Sequence, residues 1–204
     1  MDIHLHNGDL PAGLDLGDSV AVDTETMGLN LARDRLCLAQ LSDGTGVVHL
    51  VQFERDRYEA PRLAALLSDP AILKIFHYAR FDLAVLRRHL GVVCRPVFCT
   101  KIASRLARTY TDRHGLRDLC RELLGVDLSK QQQSSDWGTP ELTQEQLDYA
   151  ASDVLFLHDL KVKLEEMLDR VDRTELAHAV FEFLPTRAEL DLAGWADVDL
   201  FSHA

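Results

Sequence analysis

Residues 20–30 read Val-Ala-Val-Asp-Thr-Glu-Thr-Met-Gly-Leu-Asn, VAVDTETMGLN. The apolar run Val20 to Val22 leads straight into two acids, Asp23 and Glu25, and Gly28 follows almost at once. Successive side chains of a strand point to opposite faces, so Asp23 and Glu25 share one face while Thr24 and Thr26 share the other. Two carboxylates this close repel, and one is expected to stay protonated unless a positive charge lies between them. A divalent metal with oxygen ligands is the obvious candidate. Taken alone, a solvated strand end turning at Gly28 is the more economical explanation. The pair needs partners elsewhere in the chain.

Working outward, Val20–Val22, Leu36–Leu41 and Val47–Val51 read as strands, the last two joined as a hairpin by Asp43-Gly44-Thr45-Gly46. Tyr58–Leu67 carries apolar residues at helical spacing and stops at Ser68-Asp69-Pro70. Ile72–Phe76 reads as a strand, Phe81–Leu90 as a helix closed by Gly91, and Val97–Cys99 as a fifth, short strand. Thr100 is expected to cap a helix through about Arg108, and Leu116–Leu124 to form another ended by Gly125. Ser129 to Pro140, SKQQQSSDWGTP, is polar and loop-like. Thr143 then caps a long helix from Gln144 to about Arg170, with Glu145 and Gln146 near its start. The order points to an α/β sandwich on a mixed, five-stranded sheet.

At 204 residues and 23.0 kDa the chain suits one well-buried domain, residues 1–204. A content of 47% hydrophobic and 27% charged residues is that of a globular protein. No apolar run approaches the ~20 residues of a membrane span, and MDIHLHNGDL lacks the basic and apolar regions of a signal peptide. Cys37, Cys94, Cys99 and Cys120 show no metal-ligand spacing, and a cytoplasmic location is expected. The net charge of -11 argues against a long basic track for nucleic acid; any such substrate would be short or held in a locally basic cleft. The tail, roughly Phe181–Ala204, is acidic yet carries Phe181, Phe183, Leu190, Trp195 and Phe201, which suits either cover for its own domain or a contact with a second subunit.

Two further acids complete a pattern. Asp82, in FHYARFD, falls near the first turn of a helix, where an acid is tolerated on dipole grounds alone. In YAASD, Tyr149 and Asp153 are four apart and share a helical face, although Asp is a poor mid-helix residue. Asp23, Glu25, Asp82 and Asp153, with Tyr149 before the last, resemble the DEDD superfamily of 3′–5′ exonucleases in its tyrosine branch, over about residues 18–170. CTKIASRL, TYTDRHGL, KQQQSSDW and QLDYAASDVLFLHDLK are similar to ribonuclease D, whose additional helical domains this chain leaves no room for. Across its length, with FLPTRAELDLAGWADVD near the end, the chain closely resembles the nanoRNase C family.

That resemblance implies a ribonuclease H-like fold, a helical tail over residues 171–204, and a homo-oligomer, a ring-like octamer in that family. It implies hydrolysis of very short single-stranded RNA, dinucleotides above all, to nucleoside 5′-monophosphates, with two Mg²⁺ or Mn²⁺ ions. Four carboxylates offset most of the charge of such a pair. By the family's pattern Asp23 bridges both metals, Glu25 and Asp153 complete one, Asp82 holds the other partly through water, and Tyr149 orients the attacking water. A phenol with a pKa near ~10 is a poor general base, so generation of hydroxide falls to the metals. Met27, Gly28 and Leu29 match the turn that contacts the terminal nucleotide, with Leu29 as an apolar wedge; core packing of Leu29 is the alternative. Gln131–Gln133, Ser134, Ser135 and Trp137 are candidates for a loop over the substrate, with Lys130 as a candidate phosphate contact. Arg113 and His114 are candidate phosphate contacts, or simply a solvated turn, and His77 lines the cleft or is structural. Trimming of longer RNA in the manner of ribonuclease D, or a DNA exonuclease, shares every catalytic residue. A non-catalytic scaffold or an endonuclease of the ribonuclease H type fits the intact metal ligands and YAASD less well.

Overall fold

A computed structural model describes residues 1–128, 132 and 135–203. Six strands form one sheet in the order β1-β4-β3-β2-β5-β6: β1 Asp2–Asn7, β2 Ser19–Thr26, β3 Leu36–Ser42, β4 Val47–Gln52, β5 Leu73–Phe76 and β6 Val97–Cys99. β2, β3 and β4 pair antiparallel, whereas β1 runs parallel to β4, and β5 parallel to both β2 and β6. The expected sheet is one strand short of this: Asp2–Asn7, DIHLHN, adds an edge strand. Its alternation is muted by histidines on one face, where His4 stands opposite His49 and His6 Nε2 lies 3.0 Å from His49 Nδ1. Every residue of β3 is buried, as befits a central strand covered on both faces.

The helices are α1 Pro61–Ser68, α2 Ala79–Leu90, α3 Thr100–Ala107, α4 Leu116–Leu119, α5 Gln144–Leu155, α6 Leu157–Arg170 and α7 Thr174–Leu190. α1 begins at Pro61 rather than Tyr58, since a proline suits the first helical turn. Its free amides are met from a distance: Asp9 accepts from Arg62 N at 3.1 Å and Leu63 N at 2.9 Å. α2 closes on Gly91, at φ 68, a left-handed conformation glycine adopts without strain. α4 continues as a π-helical turn, Cys120–Leu124, before Gly125 ends it. The expected long helix from Gln144 is divided at Phe156, whose φ of -106 and ψ of 4 break the ladder. α5 therefore packs on β2, β3 and β4, while α6 turns to α3 and β5.

Thr143 caps α5 as expected. Its hydroxyl accepts from Gln146 N at 3.3 Å, and its own amide donates to Gln146 Oε1 at 2.9 Å. Thr100 does not cap α3: its hydroxyl donates to Phe76 O at 3.2 Å and lies 2.9 Å from His77 Nδ1. The tail folds back at its start, where Arg80 donates to Asp191 at 2.5 and 2.7 Å and Arg187 reaches the same carboxylate at 2.7 Å.

Candidate active site

β2 carries Asp23 and Glu25 to its C-terminal end, where a register irregularity between Glu25 and Thr26 marks a bulge. Such a bulge re-aims the side chains around it. On the facing helix α5, Tyr149 and Asp153 share one face and point toward the strand end. Asp23, Glu25 and Asp153 each offer a carboxylate oxygen within 4.8 Å of the others. Asp82, in the first turn of α2 and only 3% exposed, stands apart from that trio. The Thr24 hydroxyl donates to it at 2.6 Å. The strand thus uses both faces, acids on one and an orienting hydroxyl on the other.

The electrostatics follow from burial and crowding. Burial pushes the Asp23 carboxyl well above the usual range, and the negative charges of Asp82, Asp153 and Glu25 push it further. Burial, then Asp153 and Asp82, raise Glu25 to about 9. Burial raises Asp82 to about 7 against the hydrogen bond from Thr24, and raises Asp153 to about 7 against the neighbouring Tyr149 hydroxyl. Tyr149 is itself raised above its ordinary value, by burial first and then by Asp153, Glu25 and Asp23. Its phenol therefore stays neutral throughout the physiological range. Among the described residues none of these four acids has a basic ion-pair partner. A crowded, half-buried acidic cluster with oxygen donors alone fits hard divalent cations.

The acids floor a cleft of about 660 Å³. Met27, Gly28 and Leu29 form one lip. Leu29 is 84% exposed, so it is not a core residue. The lip is braced from behind: Asn30 N donates to Asp34 Oδ2 at 2.9 Å, and Met27 N to Arg35 O at 3.1 Å. A Cβ on Gly28 would push aside the Asp34 carboxylate that holds Asn30 N. His77 lines the cleft, and burial with nearby Lys101 lowers it to about 3, leaving a neutral imidazole. Tyr78 adopts φ 67, an uncommon conformation for a tyrosine, and its ring carries Lys101 Nζ 4.4 Å above the centroid.

Ser135 and Trp137 close the opposite side. Their loop is latched to the body. Gln146 Nε2 donates to Ser135 Oγ at 3.0 Å and Asp136 O at 3.1 Å, Arg35 Nη2 to Gly138 O at 3.2 Å, and Gln52 Nε2 to Thr139 O at 2.9 Å. The Trp137 ring lies 6.0 Å from that of Tyr149.

Not every candidate reaches the cleft. Arg113 and His114 lie outside its lining, because the turn they occupy is a knot around Arg108, only 1% exposed. Arg108 donates to Arg113 O at 3.0 Å and pairs with Glu122, and His114 Nδ1 lies 2.8 Å from Ser104 Oγ. Leu116, Arg117 and Asp118 line the cleft from this side instead. Lys130, Gln131, Gln133 and Ser134 lie outside the described residues. Thr24, Tyr78, Lys101 and Arg117 were not legible as site residues; the position of Lys101 directly after Cys99-Thr100, at a strand-to-helix turn, was the one available signal.

A profile of the 3′–5′ exonuclease family matches residues 10–169, which include all four acids and Tyr149. The chain belongs to the 3′–5′ exonuclease family. NrnC of Brucella melitensis, in a structure bound to pGG, is 56% identical with a TM-score of 0.97, and the match covers 100% of both chains. The same relative with bound Mg²⁺ gives a TM-score of 0.96 over 100% of both chains, also at 56% identity. Ribonuclease D of Granulibacter bethesdensis is 32% identical over 154 residues, 76% of this exonuclease and 38% of the relative. The chain spans less than half the length of the curated ribonuclease D relatives it matches. Ribonuclease D of Escherichia coli is 26% identical at a TM-score of 0.74, covering 88% of this chain and 48% of its own.

Proposed function

We propose that this exonuclease hydrolyses dinucleotides and other very short single-stranded RNAs to nucleoside 5′-monophosphates, using two divalent cations, Mg²⁺ or Mn²⁺. The observation that carries the reading is the cleft itself. Four acids without a basic partner among the described residues, Asp82 buried and Asp23, Glu25 and Asp153 half-buried, lie at the floor of a cleft of about 660 Å³, a small-ligand volume rather than a polymer track. A net charge of -11 supports it, since a short RNA offers few phosphates for a basic surface to neutralise. The pGG in the Brucella relative agrees with this size.

Asp23, Glu25 and Asp153 would hold one cation, and Asp82, fixed by Thr24, would hold the second together with Asp23. Bound there, such a pair supplies an activated water and charge stabilisation on the attacking and leaving oxygens. The chain's own groups do the rest. Tyr149, neutral, orients the attacking water by its hydroxyl rather than removing its proton. Leu29 and Met27 present apolar tips on a braced turn, against which bases can pack. His77, neutral and tied to Thr100, offers a hydrogen bond without charge. Lys101 and Arg117 supply the positive charge that faces phosphate. Trp137 covers Tyr149 and keeps water from that side of the site.

The test uses 5′-labelled RNAs of two, three, seven and about twenty nucleotides, with Mg²⁺ or Mn²⁺ and an Asp153→Ala control. A rate that peaks at the dinucleotide and vanishes in the variant is expected. Preference for the longest RNA, with short products accumulating, would replace this reading by ribonuclease D-like trimming.

A further inference from the structure

Gln40 is 0% exposed, and neither its Oε1 nor its Nε2 has a hydrogen-bond partner among the described residues. It interrupts the otherwise apolar centre of β3, where a buried, unpaired amide is costly. Its surroundings narrow what the amide is for. In the β2–β3 ladder Gln40 stands directly opposite Asp23, and in the β3–β4 ladder opposite Leu50. Residues directly opposite on an antiparallel pair have Cβ atoms about 5 Å apart, within reach of a glutamine side chain. Along β3 the same face carries Leu38 and Ser42. The Ser42 hydroxyl is already engaged, donating to Val47 O at 2.8 Å and accepting from Gly44 N at 3.2 Å. The helix above contributes the apolar Ala150, Ala151 and Val154, and its buried Gln146 is already engaged with Thr143 N, Ser135 Oγ and Asp136 O. Asp23, directly opposite in the ladder, is the polar side chain that register brings to Gln40, and the amide has not closed on it in this structure.

We propose that Gln40 is a positioning residue for Asp23, its amide donating to the carboxylate oxygen turned away from the cations when they are bound. The inference rests on the metal-dependent reading above and deepens it. A carboxylate that grips a cation is itself hydrogen-bonded from behind, and losing that outer partner weakens metal binding about 10- to 100-fold. Gln40 is the side chain of β3 placed to act so. The orphaned amide belongs to the metal site rather than to the core.

The experiment compares wild type with Gln40→Met, which keeps length and removes both polar atoms, and Gln40→Leu. It reads Mn²⁺ affinity by calorimetry without substrate, metal-free melting temperature, and kcat and KM on a dinucleotide. In both variants the metal-free melting temperature is expected to hold or rise, while Mn²⁺ affinity weakens about tenfold or more. At subsaturating Mn²⁺, kcat falls with little change in KM, and excess Mn²⁺ restores part of it. Mn²⁺ affinity within about twofold of wild type overturns the proposal, as does failure of both variants to fold, which would make the amide part of the fold. A wild type that neither binds Mn²⁺ nor cleaves the dinucleotide would instead sink the functional reading beneath it.

Discussion

Asp23, Glu25, Asp82 and Asp153 are each raised above their ordinary range, Glu25 to about 9 and the last two to about 7. Unfolded, such groups titrate near about 4. Between these limits the folded, metal-free chain holds more protons than the unfolded one, so its stability falls as pH rises from about 4 to about 9. Divalent cations need the deprotonated forms and stabilise only the folded site. Thermal melts should therefore show a Mg²⁺-induced rise that grows between about pH 6 and pH 9, and that shrinks in Asp153→Asn. A metal-free melting temperature flat across that range would remove these acids from the account. At this scale the sequence was informative where chemistry dictates residue type: the acids and Tyr149 fall where the pattern puts them, around one cleft. It left Arg113 and His114 open between phosphate contact and solvated turn, because the burial of Arg108 that knots their turn is a tertiary fact. The hydroxyl of Thr24 was hidden for a related reason, since it lies on the strand face opposite Asp23 and meets Asp82 only through α2.

Gln146 shows how an element does two jobs with one side chain. Its Oε1 completes the cap of α5 while its Nε2 pins Ser135 and Asp136, so the helix bearing Tyr149 and Asp153 also fixes the loop bearing Trp137. Gln146→Ala should cost on the order of 2 kcal/mol, read in denaturant melts, because the cap and the tether are lost together. Gln146→Glu separates the two, since it keeps the acceptor and removes both donors. Near-normal stability with a raised KM on a dinucleotide is the expected result, and an unchanged KM would deny the loop any part in binding. The threonine and the glutamine three residues on were readable as a capping pair, being local; the tether was not, because it runs back across a loop. The break at Phe156 was equally unreadable, as neither glycine nor proline marks it and packing alone turns α6 toward α3. The edge strand β1 escaped notice because its partner β4 lies far along the chain and three histidines blunt the alternation of the pair.

Across the whole molecule, the tail leaves a concentration of apolar surface that its own fold does not cover. Arg80 and Arg187 clasp Asp191 and the Ala196 carbonyl, fixing where the segment starts. Trp195 within that clasp and Val198, Leu200 and Phe201 beyond it remain exposed, Phe201 at 83%, and Phe183 on α7 meets the Phe201 ring at 6.3 Å. Scattered exposed apolar residues are ordinary, but with five on one helix and its following turn we propose this face as the contact with a second subunit. A subunit interface of standard size needs about 800 Å² from each partner. Light scattering on the eluting protein should then give a mass several times the 23.0 kDa chain. Phe201→Asp with Trp195→Ala should shift it toward the single chain. Because both side chains are exposed, the isolated subunit should keep its circular dichroism. An unchanged mass in the double variant would place the interface elsewhere and leave the tail as cover for its own α2–α7 seam.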